Sequence, residues 1–596
     1  MENNFKEKNN PFYLPRKPYL GFISSIIERI FGLKKLQRLY ETRPNISSCD
    51  EFLRFTLDVL KINYKIKKGT IDSIPESGPC VIVANHPLGG AEGVILSEII
   101  RKKRKDVRIL ANDILKRITE LSELFIDVDV FAGDSVVKAN LKALRTAQSH
   151  VENGGVLLVF PSGAVSLYDK ETGLLSDQEW NRSVSRIARK TQATTVPIYI
   201  DGRNSKLFYF LKKLNPILGT AMLPRELINK GNKIINIAIG EPIKFNEVKA
   251  LSNDVALTNY YRLNTYLLSA QHSDNKIVGV KQDTNSGFED IIPEVPKDKL
   301  ILDISNLEND KLFEQGDFEV YCSQSKDIPN VLRELGRVRE TSFRAVGEGT
   351  GKSLDIDEFD DYYLHLFIWD KTKLNIAGAY RLGLVDEIVS KKGIQGLYSR
   401  TLFNYENDLI KQLGNSIELG RSVIDQEYQK NVTTLLLLWQ GLNKFLFRHP
   451  KYTTFWGPVS ISDDYSLWSK QLLAESLSIH HYDTNKASLV EPTNPLKNKK
   501  GERFWHVDML TALGDIQLLS KVISRIDPGK TVPVLLKKYI GITGKLICFN
   551  VDPAFNDCLD GLIVVNMLNV PEKNLIKWMG KEEAALYLDQ HKSIQR

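Results

Sequence analysis

Cysteine is scarce in this chain. Five occur in 596 residues, at Cys49, Cys80, Cys322, Cys548 and Cys558, and none forms a CxxC pair. An odd, scattered set excludes a disulfide framework or a cysteine zinc site and suits a reducing compartment. Nine histidines include the pair His480-His481, but no ligands stand at useful spacing around it, so no metal is expected. No run of eighteen apolar residues occurs, so no helix is expected to span a bilayer. The opening MENNFKEKNNPFYLPRKPYL mixes acids and bases and does not read as a signal peptide. No block of Lys and Arg interleaves with aromatics, which argues against a nucleic-acid partner. No internal repeat is present.

What remains is an ordinary globular composition, 42% hydrophobic and 26% charged, in a chain too long for one core. A formal net charge of +7 and a pI of about 8.8 permit attraction to an anionic membrane surface. Residues 19–40 place Tyr19, Ile23, Ile26, Ile27, Ile30, Leu33 and Leu36 at helical spacing, opposite Ser24, Ser25, Glu28, Arg29 and Lys35. This amphipathic pattern suits either a helix docked on its own domain or an interfacial membrane helix. Taken together, these features predict a cytoplasmic protein, peripheral on the inner face of the membrane.

The fold class expected is α/β in two tandem domains. Residues 1–64 form an N-terminal amphipathic helical region. From about 65 to 269, strand-like runs such as Cys80–Ala84, Val156–Phe160 and Thr195–Ile200 alternate with helical patterns, which implies a largely parallel sheet. One helical pattern ends at Gly154-Gly155. Residues 270–299 are polar with scattered Gly and Pro and read as a linker; 300–596 form a second α/β region. A polar stretch from 482 to 503 reads as a surface loop.

The strand 80–84 runs into Asn85, His86 and a glycine-rich turn, with Glu92 at the start of a helical pattern. A histidine at a strand's end, followed by a carboxylate, is what general-base chemistry on a hydroxyl requires. Neutral imidazole takes the proton, and the carboxylate fixes the tautomer and stabilises the imidazolium. Downstream come Phe160-Pro161-Ser162-Gly163-Ala164, Val196-Pro197-Ile198, Asp201-Gly202-Arg203 and Leu223-Pro224-Arg225. This ordered set resembles the glycerolipid acyltransferase superfamily, and within it the hemolysin-like branch that makes amino-acid lipids. The resemblance implies a lysophospholipid-type O-acyltransferase domain, with His86 and Glu92 catalytic and Asn85, Ser162, Gly163, Arg203 and Arg225 binding substrate. The family spacing is His-x4-Asp and Phe-Pro-Glu-Gly. Here Glu92 lies one residue farther on and Ser162 replaces the acid, which weakens the case for a glycerol-phosphate acceptor.

In the second half, Arg339 and Phe343 share one helical face. The acidic run with Asp355, Asp357 and Asp360 follows, then Arg381-Leu382 after a glycine-containing strand, then Glu418 and Arg421. Acids beside an amine substrate attract its ammonium and drain its proton, and arginines hold a carboxylate or phosphate in bidentate fashion. The constellation resembles the acyl-homoserine-lactone synthase and ornithine N-acyltransferase branch of the GNAT-like fold. That resemblance implies Glu418 as proton acceptor and the others as substrate-binding. The stretch around Gly544, Asn550–Pro553 and Asp560-Gly561-Leu562 resembles the end of amino-acid lipid synthases and receives no chemistry.

The tandem resembles the bifunctional ornithine-lipid synthase family. It implies N-acylation of an amino acid, ornithine first, with a 3-hydroxyacyl thioester, then O-acylation of the 3-hydroxyl. No cofactor is implied, since acyl-ACP or acyl-CoA carries the activated group. The implied partners are acyl carrier protein, a membrane lipid surface and an amino-acid substrate. Two rivals stand beside it: a 1-acylglycerol-3-phosphate-type acyltransferase with a regulatory second domain, and a non-catalytic membrane-associated acyl-carrier-binding protein.

Overall fold

The computed structural model describes residues 30–112, 118–128, 134–169, 173–270, 287–497 and 504–592. The chain divides into two compact units. One comprises Met1–Asn275 with Asn498–Leu513, the other Lys276–Lys497 with Gly514–Arg596.

The first unit is built on a seven-stranded sheet. Its order is Asn63–Lys68, Ile234–Ile239, Thr194–Asp201, Cys80–Ala84, Val156–Val159, Val107–Asn112 and Phe125–Val128. Neighbours run parallel except Thr194–Asp201 against Ile234–Ile239. The central strand CVIVA is buried at every position, as expected of a parallel strand covered on both faces. The helix Ala91–Arg101 buries Ile95, Leu96, Ile99 and Ile100. The helix Asp134–Glu152 is followed by Gly154 at φ 87°, the left-handed conformation that ends helices. The helix Asp254–Ala270 crosses near the sheet with Leu257, Tyr260, Tyr261 and Leu263 fully buried.

Of the predicted amphipathic helix, residues up to 29 lie outside the described residues. Gly32, at φ 78°, interrupts the rest, and a helix spans Leu33–Glu41. Its Leu36 and Tyr40 are buried in the unit's own core. Tyr40 donates to Glu120, and Arg43 pairs with Glu120 at 2.7 Å. This piece therefore docks on its own domain.

The second unit carries an eight-stranded sheet. Its order is Lys311–Gln315, Phe318–Gln324, Leu364–Asp370, Asn375–Leu384, Ser416–Ile424, Thr454–Ile461, Cys558–Asn566 and Lys545–Asp552. All neighbours are antiparallel except Ser416–Ile424 with Thr454–Ile461. That parallel pair holds only three registers, ending at Glu418 opposite Trp456, after which the strands part. The helices Pro329–Arg344 and Val432–Arg448 pack against the sheet with buried aliphatic faces. Residues 271–286 of the predicted linker lie outside the described residues. Beyond them Val295 is buried and Glu289 and Ile292 donate to the Gly351 and Ser353 carbonyls. The stretch expected as a surface loop is partly regular. It holds a helix, Thr484–Ala487, and a strand, Val490–Pro492, paired with Phe403–Tyr405, because Val490 joins a buried cluster. Residues 498–503 lie outside the described residues.

Candidate active sites

In the first unit the fold brings His86 and Glu92 into contact. Gly89 sits at φ 92°, and a side chain there would meet Leu223 at 2.5 Å, so the turn after the strand is glycine by necessity. The turn brings Glu92, in the first turn of its helix, beneath His86. The carboxylate is fully buried and lies 2.7 Å from His86 Nδ1. It also accepts the Leu88 and Gly89 amides at 3.0 and 2.8 Å. Nε2 is left as the outward nitrogen. Phe160 packs on the imidazole at 4.8 Å. Burial favours the neutral ring, but the Glu92 carboxylate outweighs it and lifts His86 above its ordinary range. Burial likewise opposes ionised Glu92, and His86 with the backbone amides holds it below the usual carboxylate range.

The remaining first-half residues divide by what they touch. Asn85 is buried and clamps the Ile200 backbone, donating at 3.0 Å and accepting at 2.7 Å, so it ties the strand ends together. Ser162 donates to the Ala164 carbonyl in its own turn, where Gly163 takes φ 62°. Arg203 lines a cavity of about 640 Å³ and has no ion pair among the described residues. Arg225 donates to the Ile30 carbonyl at 3.4 Å.

Sequence reasoning missed three residues that hold this loop. Asp177 is buried and accepts from the His86 amide at 3.1 Å, Ser166 at 2.5 Å and Trp180 at 2.9 Å. Burial raises its pKa. Asn204 donates to the Pro87 and Leu88 carbonyls, and Lys230 donates to Asn204 at 2.7 Å. Asn204 directly follows Arg203 in the stretch that carries the resemblance but received no role there, whereas Asp177 and Lys230 belong to no such pattern; the fold brings all three to the loop.

In the second unit the arginines and acids pair with each other. Arg339 and Asp360, both essentially inaccessible, bond at 2.7 Å. Arg381 reaches Asp357 and lies 3.3 Å from Asp360, boxed by the rings of Phe359, Tyr363 and Tyr398. Arg421 holds Asp355 at 2.9 Å and Asp357 at 3.3 Å and donates to the Tyr398 hydroxyl at 3.1 Å. It sits at φ 47°, where the strand register slips, a strained backbone that other contacts must impose. Asp360 is disfavoured as an anion by burial, yet Arg339 and Arg381 drive it well below the carboxylate range. His365 drops to about 4 through burial and then Arg339, so the ring is neutral. Its Nδ1 faces Arg339 and Nε2 the Asp360 carbonyl. Phe343 packs against the apolar cluster of its helix.

Glu418 is the residue whose surroundings depart furthest from expectation. Its oxygens already accept from the Tyr363 hydroxyl, the Tyr398 amide at 3.0 Å and the Ser399 amide at 2.8 Å. Through these bonds Glu418 ties its strand to the 397–401 turn. Asp560, on the strand Cys558–Asn566, accepts from Ser460 at 2.6 Å, and burial pushes it up to about 7. Glu348 also rises to about 7, by burial and then by the Asp560 charge.

The residues 29–274 match the family model described as Acyltransferase, and residues 338–440 match the Acetyltransferase (GNAT) domain. The chain is an acyltransferase. This acyltransferase is 28% identical over 307 residues to the glycine N(alpha)-acyltransferase of Phocaeicola vulgatus, covering 49% of this chain and 92% of that protein. It is 29% identical over 242 residues to the lyso-glycine lipid O-acyltransferase of the same organism, covering 39% and 80%. A solved structure, the 1-acyl-sn-glycerophosphate acyltransferase of Thermotoga maritima, overlays 46% of the acyltransferase and 98% of itself at TM-score 0.26 and 16% identity, too distant to bear on the sites. The mixed α/β architecture, with an N-terminal acyltransferase domain and a C-terminal GNAT domain, is as the sequence implied.

Proposed function

We propose that this chain performs two successive acylations on one amino-acid lipid. The GNAT half joins a 3-hydroxyacyl group to the amine, and the first half esterifies the resulting 3-hydroxyl. The observation that carries this reading is the joining, in one chain, of two acyl-transfer domains whose relatives are named for N-acylation of glycine and O-acylation of lyso-glycine lipid.

We take the amino acid to be glycine in place of ornithine. Besides the relatives' names, charge supports this choice. Asp355, Asp357 and Asp360 are each engaged by Arg339, Arg381 or Arg421, which leaves that cluster no uncommitted carboxylate for a side-chain ammonium. For the amide step, the parting of Ser416–Ile424 from Thr454–Ile461 offers unpaired strand edges on which an extended thioester arm can lie. The amine nitrogen attacks the thioester carbonyl, its proton passes to Asp560, the C–S bond breaks, and Asp560 returns the proton to the departing thiolate. For the ester step, His86 Nε2 takes the hydroxyl proton as oxygen attacks a second thioester, and the imidazolium, stabilised by Glu92, returns the proton to the thiolate. Acyl carrier protein or coenzyme A serves as the donor's thiol.

The membrane partner we assign to a different element than the N-terminal helix. The helices Lys206–Leu214 and Pro216–Ala221 expose Leu207, Phe210, Leu214, Ile217 and Leu218, flanked by exposed Lys206 and Lys213. Apolar bulk rimmed by lysine suits an anionic lipid surface. No helix among the described residues is long and apolar enough to cross a membrane.

The test is mass spectrometry of lipids from cells expressing the full chain or its variants. Wild type gives a diacylated glycine lipid, His86→Ala accumulates the N-acyl amino acid, and Asp560→Asn gives neither. A diacyl product with ornithine would replace glycine, and normal diacyl lipid from His86→Ala would remove His86 from the chemistry.

A further inference from the structure

The first unit contains a segment that the chain supplies more than two hundred residues after the rest of it, within Asn498–Leu513. Its described part is firmly seated. Trp505, Met509, Leu510, Ala512 and Leu513 are buried. Asn259, on the helix Asp254–Ala270, donates to the Asp508 carbonyl at 2.9 Å and to Thr511 at 3.1 Å.

From this segment a chain of contacts leads to the catalytic histidine. The Asp508 carboxylate lies 3.2 Å from Arg262, which is almost wholly buried. The same guanidinium donates to the Asp177 carbonyl at 2.6 Å. Asp177 then accepts the His86 amide. The segment also walls the 640 Å³ cavity, contributing Phe504, Trp505 and His506 opposite Arg203, Tyr199 and Tyr266. Tyr266 accepts the Asp177 amide at 2.6 Å, and His506 bonds Ser176 at 3.2 Å. The cavity thus adjoins the machinery that holds His86. Arg203, without an ion pair among the described residues, and Asp201 both line it, and apolar and aromatic side chains make up much of the remaining wall; the Arg203 cation suits the carboxylate of a lipid.

We propose that residues 504–513 are a working part of the first acyl-transfer site. Asp508 acts as a positioning residue for the His86 loop through Arg262 and Asp177. Phe504, Trp505 and His506 wall the pocket for the carboxylate-bearing acyl acceptor. The inference rests on the O-acylation reading above for its substrate, but not for its geometry. Without Asp508, a buried guanidinium keeps one carbonyl as partner and is drawn toward water, pulling Asp177 with it.

The experiment compares Asp508→Ala, Asp508→Glu and His506→Ala in the full chain, using synthetic N-(3-hydroxyacyl)glycine as acceptor and an acyl thioester as donor. Asp508→Ala lowers kcat for ester formation roughly tenfold or more, the scale of a misplaced catalytic group, and leaves amide formation unchanged. Asp508→Glu restores most of the loss, and His506→Ala raises KM for the acceptor with little change in kcat. Hydrogen exchange at the amides of His86, Leu88 and Gly89 quickens in Asp508→Ala and not in Asp508→Glu. That readout needs no substrate, so it separates failure of this inference from failure of the proposed reaction. Unaltered exchange in Asp508→Ala overturns the positioning role, and equal losses in the Ala and Glu variants reduce Asp508 to a generic packing residue.

Discussion

Asp360 shows what a buried carboxylate does when two arginines enclose it. Its charge is offset by Arg339 and Arg381, so removing it strands two cations in the interior. Asp360→Ala is expected to cost about 3–5 kcal/mol of stability, measured by urea unfolding. Because its folded pKa is depressed, this stabilisation is complete above the ordinary aspartate range and is lost as pH falls through the folded value. Loss of amide product in that variant therefore reports folding before chemistry. Glu92 makes the opposite kind of prediction. Its carboxylate raises the pKa of His86, and the base must be neutral to act. Glu92→Gln should thus move the acid limb of the ester-forming kcat/KM profile to lower pH, while lowering the plateau. A limb that stays in place would mean that Glu92 does not set the titration of His86. Glu92 was legible because it stands a short turn after His86, and Asp360 because it closes the acidic run with Asp355 and Asp357 that carries the resemblance. The pairing itself was not: spacing cannot say that Arg381 takes Asp357 or that Glu418 accepts from Tyr363, Tyr398 and Ser399. Asp177 and Asn204 were illegible for a simpler reason, since each reaches the His86 loop from a separate loop of the fold.

Among the elements, the strands and helices that carry the sites were predictable from burial patterns. CVIVA and LHLFIWD are apolar runs too short for helices, and each is a buried strand. The amphipathic reading of residues 19–40 extended a helical period across Gly32, where the backbone turns left-handed. The exposed helices Lys206–Leu214 and Pro216–Ala221 escaped notice because an apolar stripe looks the same whether it faces a core or a lipid surface. Two substitutions test their role. Phe210→Asp and Ile217→Asp are largely exposed, so stability should change by less than about 0.5 kcal/mol. Binding to vesicles containing anionic lipid, read by co-sedimentation at low salt, should fall severalfold. Unchanged binding would return membrane attachment to another part of the chain.

At the scale of the whole molecule, the proposed function makes the order of reactions oppose the order of the halves. The hydroxyl used by the first half exists only after the second half has acted. Two chains, one carrying His86→Ala and the other Asp560→Asn, should therefore restore the diacyl lipid when co-expressed, since the singly acylated intermediate can pass between them. Failure of that rescue, with both chains folded, would mean that the intermediate does not leave the chain that made it. The late segment of the first unit has another consequence, one of timing. A ribosome reaches Leu513 more than two hundred residues after Asn275. At 5–20 residues per second that interval is roughly 10–50 s. Through it the nascent first unit has its sheet and helix Asp254–Ala270 but no Trp505, Met509 or Leu510 to cover them, and Arg262 has no Asp508. On the proposed function, competence for ester formation is consequently withheld until residue 513 has been translated, and a ribosome stalled before residue 504 displays a helix face on which Asn259 and Arg262 lack their Asp508 and Thr511 partners.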